Sequence, residues 1–251
     1  MADAEDTSVG ARAAGSAEFT ATHWSVVLAA AHQESPQAAQ ALERLCSTYW
    51  YPLYVYVRHR GYSPEDAQDL TQAFFAHLLS RDFLRNVRPD KGLFRSFLLA
   101  CLKHFLADEW KKAHRAIRGG HQPHLALETQ SAENRYRLEP VDRMDAESLY
   151  ERRWALTLLE RVLQRLREQS VAAGKANTFD AMQGFLLGEE GVETYAQTAS
   201  KLGLTEGAVK MAVHRLRERY RELFREEIVQ TVADPKEIEE EMRRLFEVIS
   251  R

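Results

Sequence analysis

Residues 194–217 place small, apolar and turn-forming residues at the spacing of two short helices that cross at a steep angle. Ala199 is small at the point where these helices would approach, and Gly203 accepts the positive φ that a tight turn between them requires. Thr205 can cap the second helix with its hydroxyl. The apolar residues that would fill the angle are Leu202, Leu204, Val209 and Val213. The pattern predicts a helix-turn-helix, and an ordinary helical hairpin is the alternative.

The second of these helices carries basic side chains at its exposed positions, which fits the major groove of DNA and the flanking phosphates. Residues 210–225 contain six lysines or arginines against two glutamates, a net charge of +4. Residues 226–251 contain four against eight acids, a net charge of −4. The formal net charge of the whole chain, −3, hides this uneven distribution. We therefore predict a DNA-reading helix, with a solvated basic face as the alternative.

Helical periodicity extends over most of the remaining chain, and no strand signal longer than a few residues interrupts it. We therefore expect an all-α fold, with helices near residues 22–31, 36–60, 64–79, 93–114, 149–169 and 177–187. Residues 116–145 lose the helical period and contain Gly119-Gly120, Pro123 and Pro140. This composition indicates a linker between two helical domains.

Two groups of motifs lie on either side of that linker. Before it come DAQDLTQAFF at 66–75, FRSFL at 94–98 and KHFLAD at 103–108, and after it come Tyr195-Ala196, LGLTEGAVK at 202–210 and His214-Arg215. In these residues the chain resembles the extracytoplasmic-function group of bacterial sigma factors, the promoter-specificity subunits of RNA polymerase. The resemblance covers roughly residues 39–112 and 148–227. Two motif groups in the right order are more specific than either alone.

The resemblance implies two small helical domains joined by a flexible linker, with a C-terminal helix added. The expected segments are a flexible N-terminal arm at 1–21, sigma domain 2 at 22–115, the linker at 116–147, sigma domain 4 with the helix-turn-helix at 148–230, and an amphipathic helical extension at 231–251.

The resemblance also implies that the chain binds core RNA polymerase, recognises the −35 and −10 promoter elements and aids DNA melting. In the family, an acidic helix of domain 2 docks on the clamp helices of the polymerase β′ subunit, and domain 4 meets the β flap. The residues that map to polymerase binding are Asp66, Asp69, Leu70, Gln72 and Phe75. Those expected at the −10 element are Arg95, Phe97, Lys103, His104, Lys111 and Lys112. Those expected at the −35 element are Thr205, Lys210, Met211, His214, Arg215, Arg217 and Arg219.

The chain departs from the family pattern at Gln68 and Ala73, which replace common glutamates, and at Ala100 and Ala212, which replace frequent arginines. Weaker docking or a different promoter sequence would follow. Thr71 lies on the same carboxylate-poor helix, and its phosphorylation would add about −1.5 to −2 charges and restore attraction to a basic clamp. A plain helical threonine is the alternative. An anti-sigma factor and a Ser/Thr kinase both remain open as regulatory partners.

The segment after residue 231 predicts a further helix that the family does not explain. A helix this short needs a surface on which its apolar stripe can pack. The residues of the stripe are Ile238, Met242, Leu245, Phe246 and Ile249. Domain 4, domain 2 and another protein are the candidate surfaces. In a further alternative, the acidic opposite face screens the basic reading helix.

Other classes of function lack support in the sequence. Only Cys46 and Cys101 occur, and His121 and His124 have no Cys or acid at a zinc-ligand spacing, so neither a disulfide scaffold nor a metal or other cofactor is expected. No phosphate loop, catalytic triad or pair of carboxylates indicates an enzyme. Without a signal peptide or a long apolar run, we expect a cytoplasmic protein with no membrane insertion. The alternatives to a sigma factor are a helix-turn-helix regulator and a sigma-like interaction module that does not bind DNA.

Overall fold

The computed structural model describes residues 36–80, 93–115, 129–139, 144–187, 193–232 and 234–250. Within these ranges the regular secondary structure is helical, which confirms the all-α class. The helices are α1 Pro36–His59, α2 Pro64–Leu78, α3 Phe94–Arg115, α4 Thr129–Tyr136, α5 Ala146–Ala172, α6 Ala176–Met182, α7 Gly184–Leu187, α8 Tyr195–Leu202, α9 Glu206–Val229 and α10 Ile238–Ile249, the last preceded by a 3-10 turn at Pro235–Glu237. The helix expected near 22–31 lies outside the described residues. None of the described helices combines the length and the apolar character that crossing a lipid bilayer requires.

Local sequence explains where several helices begin and end. α2 begins after Ser63, whose hydroxyl accepts a hydrogen bond from the backbone N–H of Asp66 at 3.1 Å. α5 begins after Asp145, whose carboxylate accepts from the backbone N–H of Ser148 at 2.8 Å. The chain turns between α1 and α2 at Gly61, which has a φ of +94° and so occupies a conformation that glycine tolerates best.

Among the described residues, one hydrophobic core connects helices from both halves of the chain. α5 lies at its centre, where it packs along α1 and also contacts α6, α9 and α10. Trp154 of α5 is fully buried and stacks on Tyr49 of α1, with 6.2 Å between the ring centroids. A smaller cluster lies within the helix-turn-helix. α1 and α5 come from the two expected domains, yet they pack on each other. The division of the chain into two separate domains therefore stays a prediction.

The segment expected to be a flexible linker contains α4, a helix of two turns. Glu133 of α4 forms an ion pair with Arg58 of α1 at 2.9 Å and accepts a hydrogen bond from the hydroxyl of Tyr54 at 3.0 Å. Ala132 of α4 is buried as well. Apolar periodicity does not indicate this helix, because polar contacts hold it and it has no long apolar stripe.

The two cysteines have the character expected of structural thiols. Cys46 and Cys101 are free and half buried. Burial disfavours the thiolate and raises the pKa of each thiol to about 11. Both side chains are therefore protonated, and poor nucleophiles, at neutral pH.

Candidate nucleic-acid interface

Helices α8 and α9 have the arrangement that the sequence predicts for a helix-turn-helix. Thr194 begins α8 with a capping box: its hydroxyl accepts from the N–H of Gln197 at 3.3 Å, and the Gln197 side chain accepts from the N–H of Thr194 at 2.8 Å. Gly203 ends α8 with a φ of +65°, and the N–H of Leu204 donates to the carbonyl of Ala199 at 2.9 Å. The turn is thus fixed by backbone bonds.

The start of the second helix, α9, is fixed by a side-chain cap. The hydroxyl of Thr205 accepts from the N–H of Ala208 at 3.2 Å and so caps α9. Thr205 therefore has a structural role whatever it contacts outside the chain. The buried residues that hold the two helices together are Met182, Ala199, Val209 and Val213. Leu204 differs from the expectation, because it lies on the surface of the turn instead of filling the angle between the helices.

Thr198 of α8 is completely buried, and its hydroxyl has no hydrogen-bond partner among the described residues. Leaving such a group unpaired costs about 1–3 kcal/mol. We expect Thr198→Val, which keeps the shape, to raise the free energy of unfolding by about 1 kcal/mol in a urea titration. The control is Thr157→Val, which removes a hydroxyl that donates to the carbonyl of Arg153 at 2.9 Å and should destabilise the chain. Equal losses from both variants would contradict the prediction.

Four exposed side chains of α9 form what we call the reading face: Lys210, Met211, His214 and Arg215. Lys210 forms an ion pair with Glu206 at 2.7 Å, and this hydrogen bond raises the pKa of the ammonium group. His214 Nδ1 lies 3.4 Å from a carboxylate oxygen of Glu218. Arg215 makes no ion pair with a described residue. An ammonium, a thioether, an imidazole and a guanidinium on one helix surface can contact base edges and phosphates in a major groove.

Arg217 and Arg219, which were also expected near the −35 element, are directed toward the body of the chain. Arg217 donates from Nη2 to the carbonyl of Phe185 at 2.8 Å. Arg219 donates from Nε to Gln169 of α5 at 3.1 Å and from Nη1 to Glu222 at 2.8 Å. Both guanidinium groups therefore hold α9 in place, and the structure adds no support for their contact with DNA.

The residues expected at the −10 element lie on α3, but only some of them reach the surface. His104, Lys111 and Lys112 are exposed. Lys103 is partly exposed and forms an ion pair with Glu147 of α5. Phe97 is half buried, with its ring centroid 6.0 Å from that of Phe94. On this side of α3, Lys111 forms an ion pair with Asp108 at 3.1 Å and Lys112 forms one with Glu109 at 2.7 Å.

The expectation that Arg95 contacts the −10 element is wrong for this conformation, because its side chain is only 1% exposed and lies in the core. Its Nη2 is 3.3 Å from Glu241 Oε2, and its Nε is 3.3 Å from Glu151 Oε2. Its guanidinium carbon lies 4.7 Å from the ring centroid of Trp154. Burial alone would lower the pKa of Arg95, but the two carboxylates outweigh this effect and raise it. In this conformation the guanidinium is occupied and cannot reach DNA.

The helix expected to bind polymerase, α2, presents part of its predicted surface. The residues that reach the surface fully or in part are Asp66, Asp69, Leu70 and Gln72. Phe75 is 7% exposed and packs on Phe74, with 5.7 Å between the ring centroids. Phe75 differs from the other four residues because it falls on the side of α2 that faces the core. In this conformation it therefore does not offer a docking contact.

Two further residues of α2 point inward. Gln68 is buried, so glutamine at the position where the resemblance leads one to expect glutamate changes the core and not the charge of the exposed side of α2. Thr71 is completely buried, and its hydroxyl donates to the carbonyl of Ala67 at 2.6 Å. A kinase cannot reach this hydroxyl in the folded chain. The structure therefore gives no support to phosphorylation of Thr71.

A pocket of about 510 Å³ beside the ends of α1 and α3 is not revealed by any sequence motif. Its walls carry three aromatic and three cationic side chains: Tyr56, Tyr62, Trp110, Arg60, Lys103 and Lys111. Tyr56 is buried, so Trp110 and Tyr62 are the rings on which a base could stack, and Glu147 adds a carboxylate that pairs with Lys103. Exposed aromatic rings next to cations that can bind phosphate are typical of sites for single-stranded nucleic acid. The sequence feature that could have indicated this pocket is Trp110, a large aromatic residue directly before Lys111. In the structure the Trp110 side chain is 58% exposed.

Groups of three or more His, Cys, Asp or Glu that could hold a metal ion are absent from the described residues, and His121 and His124 lie outside them. A scan against known protein families, a search of curated proteins and a search of solved structures each found no match to this chain.

Proposed function

We propose that the chain is a promoter-specificity subunit of bacterial RNA polymerase, of the extracytoplasmic-function type. It binds the core enzyme, recognises the −35 and −10 elements and aids DNA melting. The observation that carries the proposal is the reading face of α9, an exposed basic surface on the second helix of a capped and packed helix-turn-helix. The chemistry of initiation belongs to the polymerase.

A second candidate surface on α3 favours this function over a simple helix-turn-helix regulator. His104, Lys111 and Lys112 are exposed there, and the pocket that contains Trp110 suits an unstacked base. A regulator that reads only duplex DNA has no use for such a pocket. The exposed Asp66 at the start of α2 would meet a basic surface of the polymerase clamp.

Run-off transcription tests the proposal. We expect bacterial core RNA polymerase to produce discrete transcripts from a random promoter library only after the chain is added, because the core enzyme alone does not select promoters. The control is the core enzyme without the chain. A helix-turn-helix regulator would instead change transcription only when another sigma factor is present, and a sigma-like interaction module would bind no DNA. Either of those outcomes would contradict the proposal.

A further inference from the structure

Another pocket adjoins the reading face, between the C-terminal end of α5, helix α6 and the first half of α9. Its volume is about 480 Å³, within the range of about 300–1,000 Å³ that is usual for small-molecule sites. Phe179 and Met182 of α6, both buried, form part of its wall. The contacts with DNA proposed above do not use this space.

Small side chains leave the pocket open. Ala208 and Ala212 lie one turn apart on the side of α9 that borders it, and a larger side chain at either position would narrow it. Leu204, which does not fill the angle between α8 and α9, also borders the pocket, with 44% of its surface exposed. A ligand with an apolar body would cover this surface and be stabilised by the hydrophobic effect.

The charge of the pocket is positive. Of the ten described residues that line it, six are apolar, Lys175 and Arg215 are cationic, and none is acidic. Both cations are exposed, and neither forms an ion pair with another described residue. The pocket beside α1 and α3, in contrast, includes the carboxylate of Glu147. An apolar wall with exposed cations beside it suits a ligand that joins an apolar body to a carboxylate.

The acidic C-terminal helix α10 does not neutralise these cations. It packs on α5 and α9, and its Glu239 forms an ion pair with Arg225, ten residues beyond Arg215. The acidic side of α10 therefore meets the far end of α9. The structure gives no support to the alternative in which this side screens the reading face, and Lys175 and Arg215 stay accessible to an external anion.

Arg215 belongs to two surfaces. It is part of the reading face of α9, and it also lines the pocket. A guanidinium that holds a carboxylate in a charge-assisted pair is no longer free to bind a base or a phosphate. The negative charge of the carboxylate also repels the phosphates of DNA. A ligand in the pocket and a −35 duplex would therefore compete for Arg215, and each would lower the affinity of the chain for the other.

We propose that this pocket binds a small apolar monocarboxylate, which pairs with Lys175 and Arg215 and thereby weakens recognition of the −35 element. The binding site depends on the geometry of the pocket alone, whereas the effect on DNA rests on the proposed function. Medium-chain fatty acids and aromatic carboxylic acids share this chemistry. They differ in the shape of the apolar body, so one probe of each kind distinguishes the two sources.

Isothermal titration calorimetry with the full chain tests the site, with decanoate and naphthoate as the two probes. We expect at least one of them to bind at a single site per chain, and the tighter of the two indicates the source. The neutral analogues decanol and naphthamide should bind about tenfold more weakly, because they form no charge-assisted pair. Acetate, which has the charge without the apolar body, should not bind. Failure of both probes to bind would overturn the proposal, and so would equal affinities of acid and neutral analogue.

Two substitutions test whether the ligand lies in this pocket. Ala212→Leu fills the space and should weaken binding at least tenfold, and Lys175→Gln removes an exposed cation and should weaken it about fivefold. The matched controls are Ala196→Leu and Lys201→Gln, the same substitutions at exposed positions of α8, which should leave the affinity for the ligand unchanged. Should Ala212→Leu lose helix content in circular dichroism, Ala208→Leu replaces it. Equal affinities of the variants and their controls would overturn the site.

Fluorescence anisotropy with a −35 duplex selected from a random library tests the effect on DNA. We expect a saturating concentration of the probe that binds to lower the affinity for the duplex about tenfold, because Arg215 is occupied. The same addition should leave the affinity of the Ala212→Leu chain unchanged. An unchanged affinity of the wild type with the pocket occupied would overturn the competition. If the chain selects no duplex, the proposed function fails, and calorimetry alone decides whether the pocket binds an apolar carboxylate.

Discussion

A chain with Trp154→Ala is expected to melt about 10 °C below the wild type. Among the described residues Trp154 is the largest fully buried side chain, and its removal leaves a cavity in the core. Such substitutions cost about 3–5 kcal/mol, and each kcal/mol lowers the melting temperature of a chain of this size by about 2–4 °C. Thermal unfolding followed by circular dichroism measures the shift.

The same experiment tests whether the two halves of the chain unfold together. Trp154 contacts Tyr49 of α1 and Arg95 of α3, so its loss should be felt on both sides of the linker. We expect a single transition that shifts as a whole. The control is Trp110→Ala, the same substitution at a side chain that is 58% exposed, with an expected shift of about 2 °C or less. Two transitions, of which only one shifts, would instead indicate two independently stable domains.

Arg215→Ala is expected to weaken binding to a −35 duplex selected from a random library by about 10- to 100-fold. Arg215 lies at the edge of the reading face and makes no ion pair with a described residue, so its guanidinium is available to bases or phosphates. A bidentate arginine contact with a base contributes about 1–3 kcal/mol of discrimination. Fluorescence anisotropy with labelled duplex DNA gives the affinity.

The dependence of the affinity on salt then separates two roles of Arg215. If the arginine binds a phosphate, the slope of log affinity against log salt falls by about 1, and all sequences lose affinity alike. If it binds a base, discrimination at one position is lost and the slope is kept. The control is Arg167→Ala, which removes an exposed arginine paired with Asp180 on α5 and α6 and should leave the affinity unchanged. Equal losses from both substitutions would mean that α9 is not the reading helix.

Helix positions could be predicted from the sequence wherever a local signal starts or stops a helix. The expected helix at 36–60 is Pro36–His59, and the one at 93–114 is Phe94–Arg115. Proline after serine, and glycine at a helix end, act within a few residues and need no knowledge of the rest of the chain. The expected helix at 149–169 begins earlier, at Ala146, because the Asp145 cap precedes the apolar period. The roles of Gly203 at the end of α8 and of Thr205 at the start of α9 could be predicted for the same local reason.

The roles of Arg95, Phe75 and Thr71 could not be predicted in this way. Each lies in a motif that resembles a binding surface, yet each side chain is buried. Arg95 is held by Glu241, which is 146 residues away in the chain, so no local pattern indicates the pair. The sequence does not indicate the short helix α4, because an ion pair and a hydrogen bond between Glu133 and α1 hold it. Contacts between distant segments decide the cases of Arg95 and α4, whereas Phe75 and Thr71 are buried because they fall on the side of α2 that the core covers.

The central position of α5 has a practical consequence for work on parts of the chain. A cut within residues 116–128 would leave the core-facing side of α1 in one fragment and that of α5 in the other, each without its covering surface. Tyr49 and Leu53 on one fragment, and Trp154 and Leu158 on the other, would then meet water. Fragments of this kind aggregate when produced alone, because large apolar patches associate with one another. Produced together, they would recover the native fold as a noncovalent pair.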